Sequence, residues 1–415
     1  MLIHIVEPGE TAYGIAARYG VSPVRLLADN GLSASDTLAV GQALLVLIPA
    51  EVYTVQPGDT LYSIAAAADT SVLALVQNNP YLTDADMLRP GEELVLRYTG
   101  DKRRSVYITG YAYPYISRHV LYRALPYLSY LTIFGYGFTE DGALIGIDDM
   151  PLIEVARAFG AAPVLLLASI TESGNFNSAR ASRLFNDAAL QATVLDNVLD
   201  TMREKGYAGL DIDFEYIDPA DREAFVAFVA AAVEKLSPYG YFVNTDLAPK
   251  TSAAQSGLLY EAHDYAALGA ASDTLFLMTY EWGYTYGPPL AVAPIDRVRR
   301  VVDYAVSEIA PAKLLLGIPN YGYDWQLPYE KGVTAARYGA EIEYDPVSAA
   351  PYFYYTDGEG NAHVVWFEDV RSMLASYDLM DAFDLRGAGY WNVMRPFAQN
   401  YALLASLYDI EKPGF

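Results

Sequence analysis

Residues 209–215 of this chain read Gly209-Leu210-Asp211-Ile212-Asp213-Phe214-Glu215, an apolar run with a carboxylate at every second position from Asp211. Successive side chains of a β-strand point to opposite faces, so the three carboxylates leave one face of this predicted strand. Carboxylates crowded on a buried face repel one another and resist desolvation, so a fold keeps them mainly where they perform chemistry. The alternative is a solvated edge strand, but Gly209 and the apolar neighbours favour a covered, central strand. We therefore expect the active site here.

Further strand-like runs surround this segment from residue 105 onward, and helical patterns such as 186–205 and 221–236 separate most of them. The predicted strands are 106–112, 130–136, 163–169, 208–214, 241–247, 274–280, 314–318 and 386–391. Strands that alternate with helices in this way predict an α/β fold, the (β/α)8 TIM barrel, whose active site lies at the C-terminal ends of the strands. The long gap 320–385 carries a hairpin pattern, which predicts a small β-rich insertion before the last strand.

An internal repeat occupies the N-terminal part of the chain. The heptapeptide IVEPGET at residues 5–11 returns as TVQPGDT at residues 54–60. Each copy continues with two helical patterns and closes with a short strand, which predicts two small βααβ units: a first unit at 1–49 and a second unit at 52–98. The acid and the hydroxyl of the repeated turn are expected to cap the first helix of each unit. The barrel domain then spans residues 105–415.

Both small units resemble lysin-motif (LysM) domains, a family that binds glycans containing N-acetylglucosamine. The resemblance implies a shallow groove between the loop after the first strand and the loop after the second helix of each unit. The glycan-binding residues that it implies are Gly9, Thr11, Asn30, Gly58, Thr60 and Asn79. The alternative is that these residues only form turns and caps. A linked pair of weak glycan-binding units would raise the local concentration of a polymeric substrate at the barrel.

The composition narrows the partners of the protein. A net charge of −24 argues against nucleic acid and anionic membranes, both of which need a basic face. The chain has no Cys and only four His, none at metal-ligand spacing, so we expect no cofactor and no metal, with only a carboxylate-bound Ca²⁺ left open. An acidic chain with 36 Tyr and 4 Trp fits a neutral, hydroxyl-rich ligand such as a polysaccharide. Neither a signal peptide nor a membrane helix is expected from the sequence.

The acid triplet suits the hydrolysis of a glycosidic bond. That reaction needs a protonated carboxylic acid near the leaving oxygen and a second negative or nucleophilic group at the anomeric carbon. Glu215, last on the predicted strand, is expected to project furthest into the cleft and to act as the acid, with Asp213 and Asp211 behind it. Neighbouring carboxylates cannot all ionise freely, so we expect a shared proton and a raised pKa for Glu215. Such a group can act as a general acid near neutral pH.

Residues 207–215 resemble the signature of glycoside hydrolase family 18, Asp-Gly-x-Asp-x-Asp-x-Glu. Three other predicted strand ends support the resemblance: MTYEW at 278–282, PNYGYDW at 319–325 and GYW at 389–391. The resemblance implies a substrate-assisted retaining mechanism, in which the 2-acetamido group of the sugar attacks the anomeric carbon. Two departures stand out, because Ala208 replaces the first Asp of the signature and Glu281 stands where Asp is usual. The longer arm of Glu281 is expected to alter contacts to the sugar hydroxyls.

The resemblance also implies a role for each site residue. The catalytic residues would be Glu215 as the general acid, Asp213 as the group that orients the acetamide, Asp211 as the group that tunes Asp213, and Tyr280 as the donor to the acetamide oxygen. The substrate-binding residues would be Trp391, as the floor under the sugar, and Glu281, Trp282, Tyr321 and Trp325. The alternative for Tyr280 and Trp391 is ordinary barrel core.

The whole arrangement, two LysM-like units without a signal peptide and then a family 18 barrel, resembles the spore cortex-lytic N-acetylglucosaminidases of endospore-forming bacteria. It implies a monomeric enzyme, made in the cytoplasm and located in the spore, that cleaves β-1,4 bonds after N-acetylglucosamine in cortex peptidoglycan. Two alternatives stay open. One is a chitinase or chitooligosaccharide hydrolase with the same chemistry, and the other is a non-catalytic, glycan-binding spore-coat protein. The retention of all three acids disfavours the second.

Overall fold

The computed structural model describes residues 1–82, 88–171, 173–284, 287–324, 327–329 and 333–413. The first unit contains β1 (Leu2–Ile5), α1 (Ala12–Tyr19), α2 (Pro23–Asp29) and β2 (Ala43–Val46). The second unit contains β3 (Pro49–Thr54), α3 (Leu61–Ala67), α4 (Val72–Asn78) and β4 (Glu93–Tyr98). The two strands of each unit pair antiparallel, so both have the predicted βααβ order. Because β3 already begins at Pro49, the two units follow each other without a linker.

The repeated turn starts the first helix of each unit, but its acid and its hydroxyl do different things. The hydroxyl of Thr11 accepts the backbone N–H of Gly14 at 3.1 Å, which caps α1. The acid does not cap the helix, contrary to the prediction, because Glu10 reaches back and accepts the backbone N–H of Glu7 at 2.8 Å. It therefore closes the turn on itself. The second unit repeats both contacts, with Thr60 and Ser63, and with Asp59 and Gln56.

The large domain begins with strands and helices in alternation. Its strands up to the insertion are β5 (Arg104–Ala112), β6 (Tyr130–Phe138), β7 (Leu144–Ile145), β8 (Ala162–Ala168), β9 (Gly209–Asp213), β10 (Phe242–Leu247), β11 (Thr274–Leu277) and β12 (Leu314–Pro319). The α-helices between them are α5 (Arg118–Ala124), α6 (Met150–Ala158), α7 (Ser178–Asn186), α8 (Ala188–Lys205), α9 (Arg222–Leu236), α10 (Tyr265–Ala271) and α11 (Ile295–Glu308).

The predicted insertion and the closing elements follow. The insertion contains β13 (Gly322–Asp324), β14 (Leu327–Tyr329), α12 (Val333–Tyr338), β15 (Glu343–Asp345), β16 (Ala350–Thr356) and β17 (Ala362–Trp366). Its strands form an antiparallel sheet in the order β14-β13-β17-β16-β15, and the expected hairpin is β16 with β17. The chain then adds α13 (Val370–Ala382), β18 (Gly387–Trp391), α14 (Ala398–Leu407) and β19 (Tyr408–Ile410).

The sheet of the large domain closes into a barrel. The parallel order β5-β6-β8-β9-β10-β11-β12-β18 returns to β5, while β7 and β19 pair at its margins. The (β/α)8 TIM barrel with a β-rich insertion before the last strand is therefore confirmed. Each of the eight predicted strand segments overlaps one barrel strand, and the insertion lies between β12 and β18, beside the C-terminal ends of the strands.

Strand β9 is central and fully covered. All five of its residues are buried, and it lies between β8 and β10, with Asp211 opposite Leu166 on one side and Asn244 on the other. A Cβ atom on Gly209 would lie 2.5 Å from the ring of Phe242, so the start of the strand requires glycine. The alternative of a solvated edge strand is wrong, and the carboxylates of β9 point into the barrel at the end where such folds carry their chemistry.

Candidate active site

The carboxylates of the opening segment lie at the C-terminal end of β9. Asp211 and Asp213 belong to the strand and are 1% and 5% exposed. The strand ends at Asp213, so Glu215 is delivered by the segment that follows and is only partly buried. The next residue, Tyr216, has a φ of 53°, a backbone conformation that non-glycine residues rarely adopt and that turns the chain away from the strand direction. The acid thus stands at the rim of the cleft, above two deeper carboxylates.

Asp211 belongs to a buried network that the sequence reasoning missed. The amide Nδ2 of Asn244 on β10 donates to Asp211 Oδ1 at 2.7 Å and lies 3.1 Å from Asp246 Oδ1. Asp246 also accepts the hydroxyl of Tyr111 at 2.8 Å. Burial raises the pKa of Asp211 and, together with the Asp211 charge, holds that of Asp246 well above its usual range. The raised pKa values favour a proton shared within the network. Asn244 and Asp246 alternate on β10 as the acids do on β9.

Asp213 lies between this network and the acid. Its Oδ1 atom is buried and has no hydrogen-bond partner among the residues that the structure describes. Burial raises its pKa well above the usual range, and the neighbouring Glu215 and Asp211 raise it further. A buried polar atom without a partner is costly in a folded protein, so the position fits a group that a ligand completes.

Glu215 has the protonation behaviour of a general acid. Burial, and then the charge of Glu281, raise its pKa from 4.5 to about 7. Glu281 itself is exposed, has a φ of 65°, and its Oε1 accepts the hydroxyl of Tyr321 at 2.8 Å and that of Tyr323 at 3.3 Å. The side chain of Glu281, which is longer than the usual Asp, therefore brings a further carboxylate near Glu215. Its hydrogen bonds join that carboxylate to the segment after β12.

Tyr280 stands where a neutral hydroxyl can meet a substrate. It follows β11 at the C-terminal end of the barrel and is partly buried. Burial holds its pKa well above the usual range, and the charges of Asp246 and Asp213 act in the same direction. The phenol therefore keeps its proton near the acid cluster and remains a hydrogen-bond donor.

Trp391, at the end of β18, lies in an aromatic cluster at the same end of the barrel. Its ring centroid is 5.5 Å from that of Phe134, 5.8 Å from that of Tyr111 and 6.0 Å from that of Tyr113, all at steep interplanar angles. Edge-to-face contacts of this kind fix an indole in one orientation. Phe134 within β6 and Tyr113 directly after β5 were not predicted as site residues, because an aromatic residue in or beside a strand is indistinguishable from core in the sequence.

The other predicted substrate-binding residues have different surroundings from one another. Tyr321 joins the site through its bond to Glu281. Trp282 is partly buried and packs against the hydrophobic core of the barrel, with its backbone N–H donating to Val292 at 3.0 Å. Trp325 lies outside the described residues.

The polar residues predicted for the two N-terminal units mainly hold the fold. Asn30 Nδ2 donates to the Leu45 carbonyl at 2.8 Å while its Oδ1 accepts the Leu45 N–H at 2.7 Å, and Asn79 makes the same pair of contacts with Val95. The side chain of Asn79 is fully buried. Thr11 and Thr60 cap helices, and Gly9 and Gly58 have φ values of 84° and 89° in the turns. The groups that these loops can offer a glycan are therefore largely backbone N–H and C=O groups.

Within the described ranges, no group of three or more His, Asp or Glu side chains is arranged to hold a metal ion. No helix there is both long and apolar enough to span a bilayer.

A parallel (β/α)8 barrel with a partly buried acid of near-neutral pKa above two buried carboxyl groups defines a glycoside hydrolase. The chain belongs to Glycosyl hydrolases family 18, whose pattern matches residues 163–395. The LysM domain family matches residues 4–46 and 53–97, so the first and second units are LysM domains.

Similar proteins match the chain over most or all of its length. The chain is 36% identical to the cortical fragment-lytic enzyme of Bacillus anthracis over 99% of each chain, and 38% identical to that of Bacillus subtilis over 70% of each. The crystal structure of the Bacillus cereus spore cortex-lytic enzyme SleL superposes with a TM-score of 0.83 at 36% identity and covers 99% of this chain and 98% of that one.

Proposed function

We propose that this protein acts in the spore, where it cleaves the β-1,4 bond that follows N-acetylglucosamine in cortex peptidoglycan and its soluble fragments. The observation that carries the proposal is the full-length likeness to a cortical fragment-lytic enzyme, which includes both LysM domains and the barrel. The LysM pair would keep the polymer near the cleft. The enzyme would act as a monomer.

The reaction would use the substrate as its own nucleophile. Protonated Glu215 gives its proton to the glycosidic oxygen as the bond from that oxygen to the anomeric carbon breaks. The acetamido carbonyl oxygen of the same sugar bonds to the anomeric carbon, which leaves an oxazolinium ion and a free leaving sugar. Water then attacks that carbon, the ring opens, and Glu215 takes the proton of the water and is restored. The acetamido oxygen and the water attack opposite faces of the anomeric carbon, so the two inversions give net retention.

The buried groups behind the acid would hold the acetamide in place. The free Oδ1 of Asp213 can accept the acetamide N–H, and the neutral hydroxyl of Tyr280 can donate to the acetamide oxygen. Positive charge on the oxazolinium ion favours loss of the proton from Asp213, and the Asp211 network supplies the neighbouring sites among which that proton is distributed. The rings around Trp391 would form the apolar floor.

Chitin is the second candidate substrate. The barrel superposes on a chitinase from Chromobacterium violaceum with a TM-score of 0.66 at 25% identity, but only 72% of this chain is covered. The acid cluster serves both polymers, since both present N-acetylglucosamine at the bond that is cut. A purely glycan-binding function is disfavoured by the retention of Asp211, Asp213 and Glu215.

Mass spectrometry of the soluble products tests the proposal. Wild type and Glu215→Gln are incubated separately with purified spore cortex fragments and with chitin. We expect muropeptides with reducing N-acetylglucosamine ends from cortex, and from wild type only. Release of chitobiose from chitin, without cleavage of the cortex fragments, would make the enzyme a chitinase. The absence of products from both polymers would favour a glycan-binding protein.

A further inference from the structure

The first LysM domain is fixed directly to the barrel. Gln399 Nε2 on α14 donates to Asn30 Oδ1 at 2.7 Å and to the Ala43 carbonyl at 2.9 Å. The backbone N–H of Ile342 in the insertion donates to the Val40 carbonyl at 2.8 Å. Ala43 also belongs to the hydrophobic core of the barrel domain. The loop after α2, residues 30–32, therefore faces the barrel at a fixed place.

A cavity of about 450 Å³ lies between that loop and the barrel, and we call it the composite cavity. This volume is within the usual range for sites that bind small molecules, about 300–1,000 Å³. The first LysM domain contributes Leu32 and Thr37 to its walls, the loop after β12 contributes Tyr321, and the segment before α14 contributes Phe397. Neither domain alone encloses this space.

The composite cavity and the catalytic cleft share a wall. Tyr321 lines the cavity, and its hydroxyl donates to Glu281, whose charge raises the pKa of Glu215. Tyr321 therefore stands between the composite cavity and Glu281, the carboxylate that neighbours Glu215.

A buried carboxyl group that the catalytic mechanism does not use lines the composite cavity. The Oε1 atom of Glu368 is buried and has no hydrogen-bond partner among the described residues. Burial raises its pKa from 4.5 to about 8, against the lowering effect of a hydrogen bond with Ser372, and the charge of Asp369 adds to the rise, so the neutral acid is favoured at pH 7. The lining also carries two acidic and two basic side chains, so it has no excess of one charge: Asp36, Asp369, Arg337 and Arg395. An uncharged sugar with hydroxyl and amide groups fits a neutral carboxylic acid beside apolar walls.

We propose that the composite cavity is a glycan subsite, shared by the first LysM domain and the barrel, that binds an N-acetylated sugar of the strand cut at Glu215. In this site Glu368 donates a hydrogen bond to the sugar, and Leu32 and Phe397 cover its apolar face. The inference rests on the proposed function. It makes the first LysM domain an extension of the active site rather than a separate tether.

The test compares kcat/KM for soluble cortex glycan fragments of two lengths, the shortest that wild type cleaves and a longer one. Glu368→Ala removes the donor, and Thr37→Trp fills the cavity from the LysM side. Each variant is expected to lower the ratio of kcat/KM for the long fragment to kcat/KM for the short fragment by about tenfold. That decrease corresponds to the loss of one buried hydrogen bond or one sugar contact. Glu368→Gln keeps an N–H donor and should retain most of the ratio. Ala34→Trp, on the same exposed loop but outside the cavity, is the matched control and should leave the ratio unchanged.

The outcomes separate this inference from the proposed function. An unchanged ratio in both Glu368→Ala and Thr37→Trp would overturn the composite cavity as a subsite, even if wild type cleaves both fragments. Equal losses on both fragments in both variants would overturn it as well, because they would indicate a general structural defect. Failure of wild type to cleave either fragment would contradict the proposed function instead.

Discussion

Asn79 in the second LysM domain and Asp213 in the barrel are polar side chains that the fold buries almost completely, yet their surroundings differ. Asn79 donates to the carbonyls of Leu75 and Val95 at 2.7 and 2.9 Å and accepts the Val95 N–H at 2.9 Å. Asp213 keeps Oδ1 without a partner in the described structure and has carboxyl groups as neighbours. An unpaired buried group costs about 1–3 kcal/mol. The first arrangement therefore stabilises the fold, and we infer that the second leaves an atom free for a ligand.

The largest effect is expected from Glu215→Gln. The variant keeps the shape of the side chain but has no proton to give, so kcat on soluble cortex fragments should fall by about 100- to 10,000-fold. Binding of the fragment, measured by titration calorimetry, should change little. Full turnover in this variant would remove Glu215 from the acid role.

Asp213→Asn should separate activity from stability. The amide no longer offers a full negative charge to the acetamide N–H and the oxazolinium ion, so kcat should fall by about 100-fold or more. The same change removes a costly buried carboxyl group next to Glu215 and Asp211, so the Tm should rise. Thermal unfolding measures the Tm and steady-state kinetics measure kcat. A lower Tm with full activity would mean that Asp213 stabilises the fold as Asn79 does.

Asn79→Ala should act in the opposite way. It leaves the N–H and C=O of Val95 and the carbonyl of Leu75 without partners, so the free energy of unfolding should fall by about 3 kcal/mol. The adjacent Asn78 is the matched control, because it donates to the Leu96 carbonyl through one described bond and its replacement by Ala should cost about 1 kcal/mol. Denaturant titration measures both, and equal losses would weaken the contrast with Asp213.

The pH dependence should be smaller but distinctive. Because the pKa of Glu215 is raised to about 7, kcat should decline as pH rises through 7 and the acid loses its proton. The raised value also means that the folded state binds this proton more tightly than the unfolded state. Its stabilising contribution is therefore full below pH 4.5 and is lost as pH rises through 7. The Tm of Glu215→Gln minus that of wild type should accordingly be larger at pH 8 than at pH 4. The same Tm difference at both pH values would contradict this.

Much of the fold could be predicted because its signals are local. The alternation of Asp211 and Asp213 within an apolar run indicated the buried strand β9, and the repeated heptapeptide indicated the two LysM domains. The same alternation on β10 could have revealed Asn244 and Asp246, but an isolated amide and acid carry less charge crowding than three acids. Glu215 was placed on the strand by that rule, whereas the chain turns at Tyr216 and lifts it to the rim.

The contacts between distant parts of the chain could not be predicted. The bond from Gln399 to Asn30 joins residues far apart in sequence, and neither position carries a pattern that indicates a partner. The first LysM domain therefore read as a separate module, although it is fixed to the barrel. For the same reason Glu368, an ordinary acid before a helix, gave no signal of its burial.

The most direct test of the reserved atom on Asp213 is the rate of hydrolysis of a cortex glycan fragment and of the same fragment with the acetyl group removed from the sugar before the cut bond. We expect rapid cleavage of the acetylated fragment and loss of nearly all turnover for the free amine, because the nucleophilic carbonyl is gone and an amine replaces the amide that Asp213 would orient. Equal rates on the two fragments would contradict substrate assistance and would require a nucleophile from the protein.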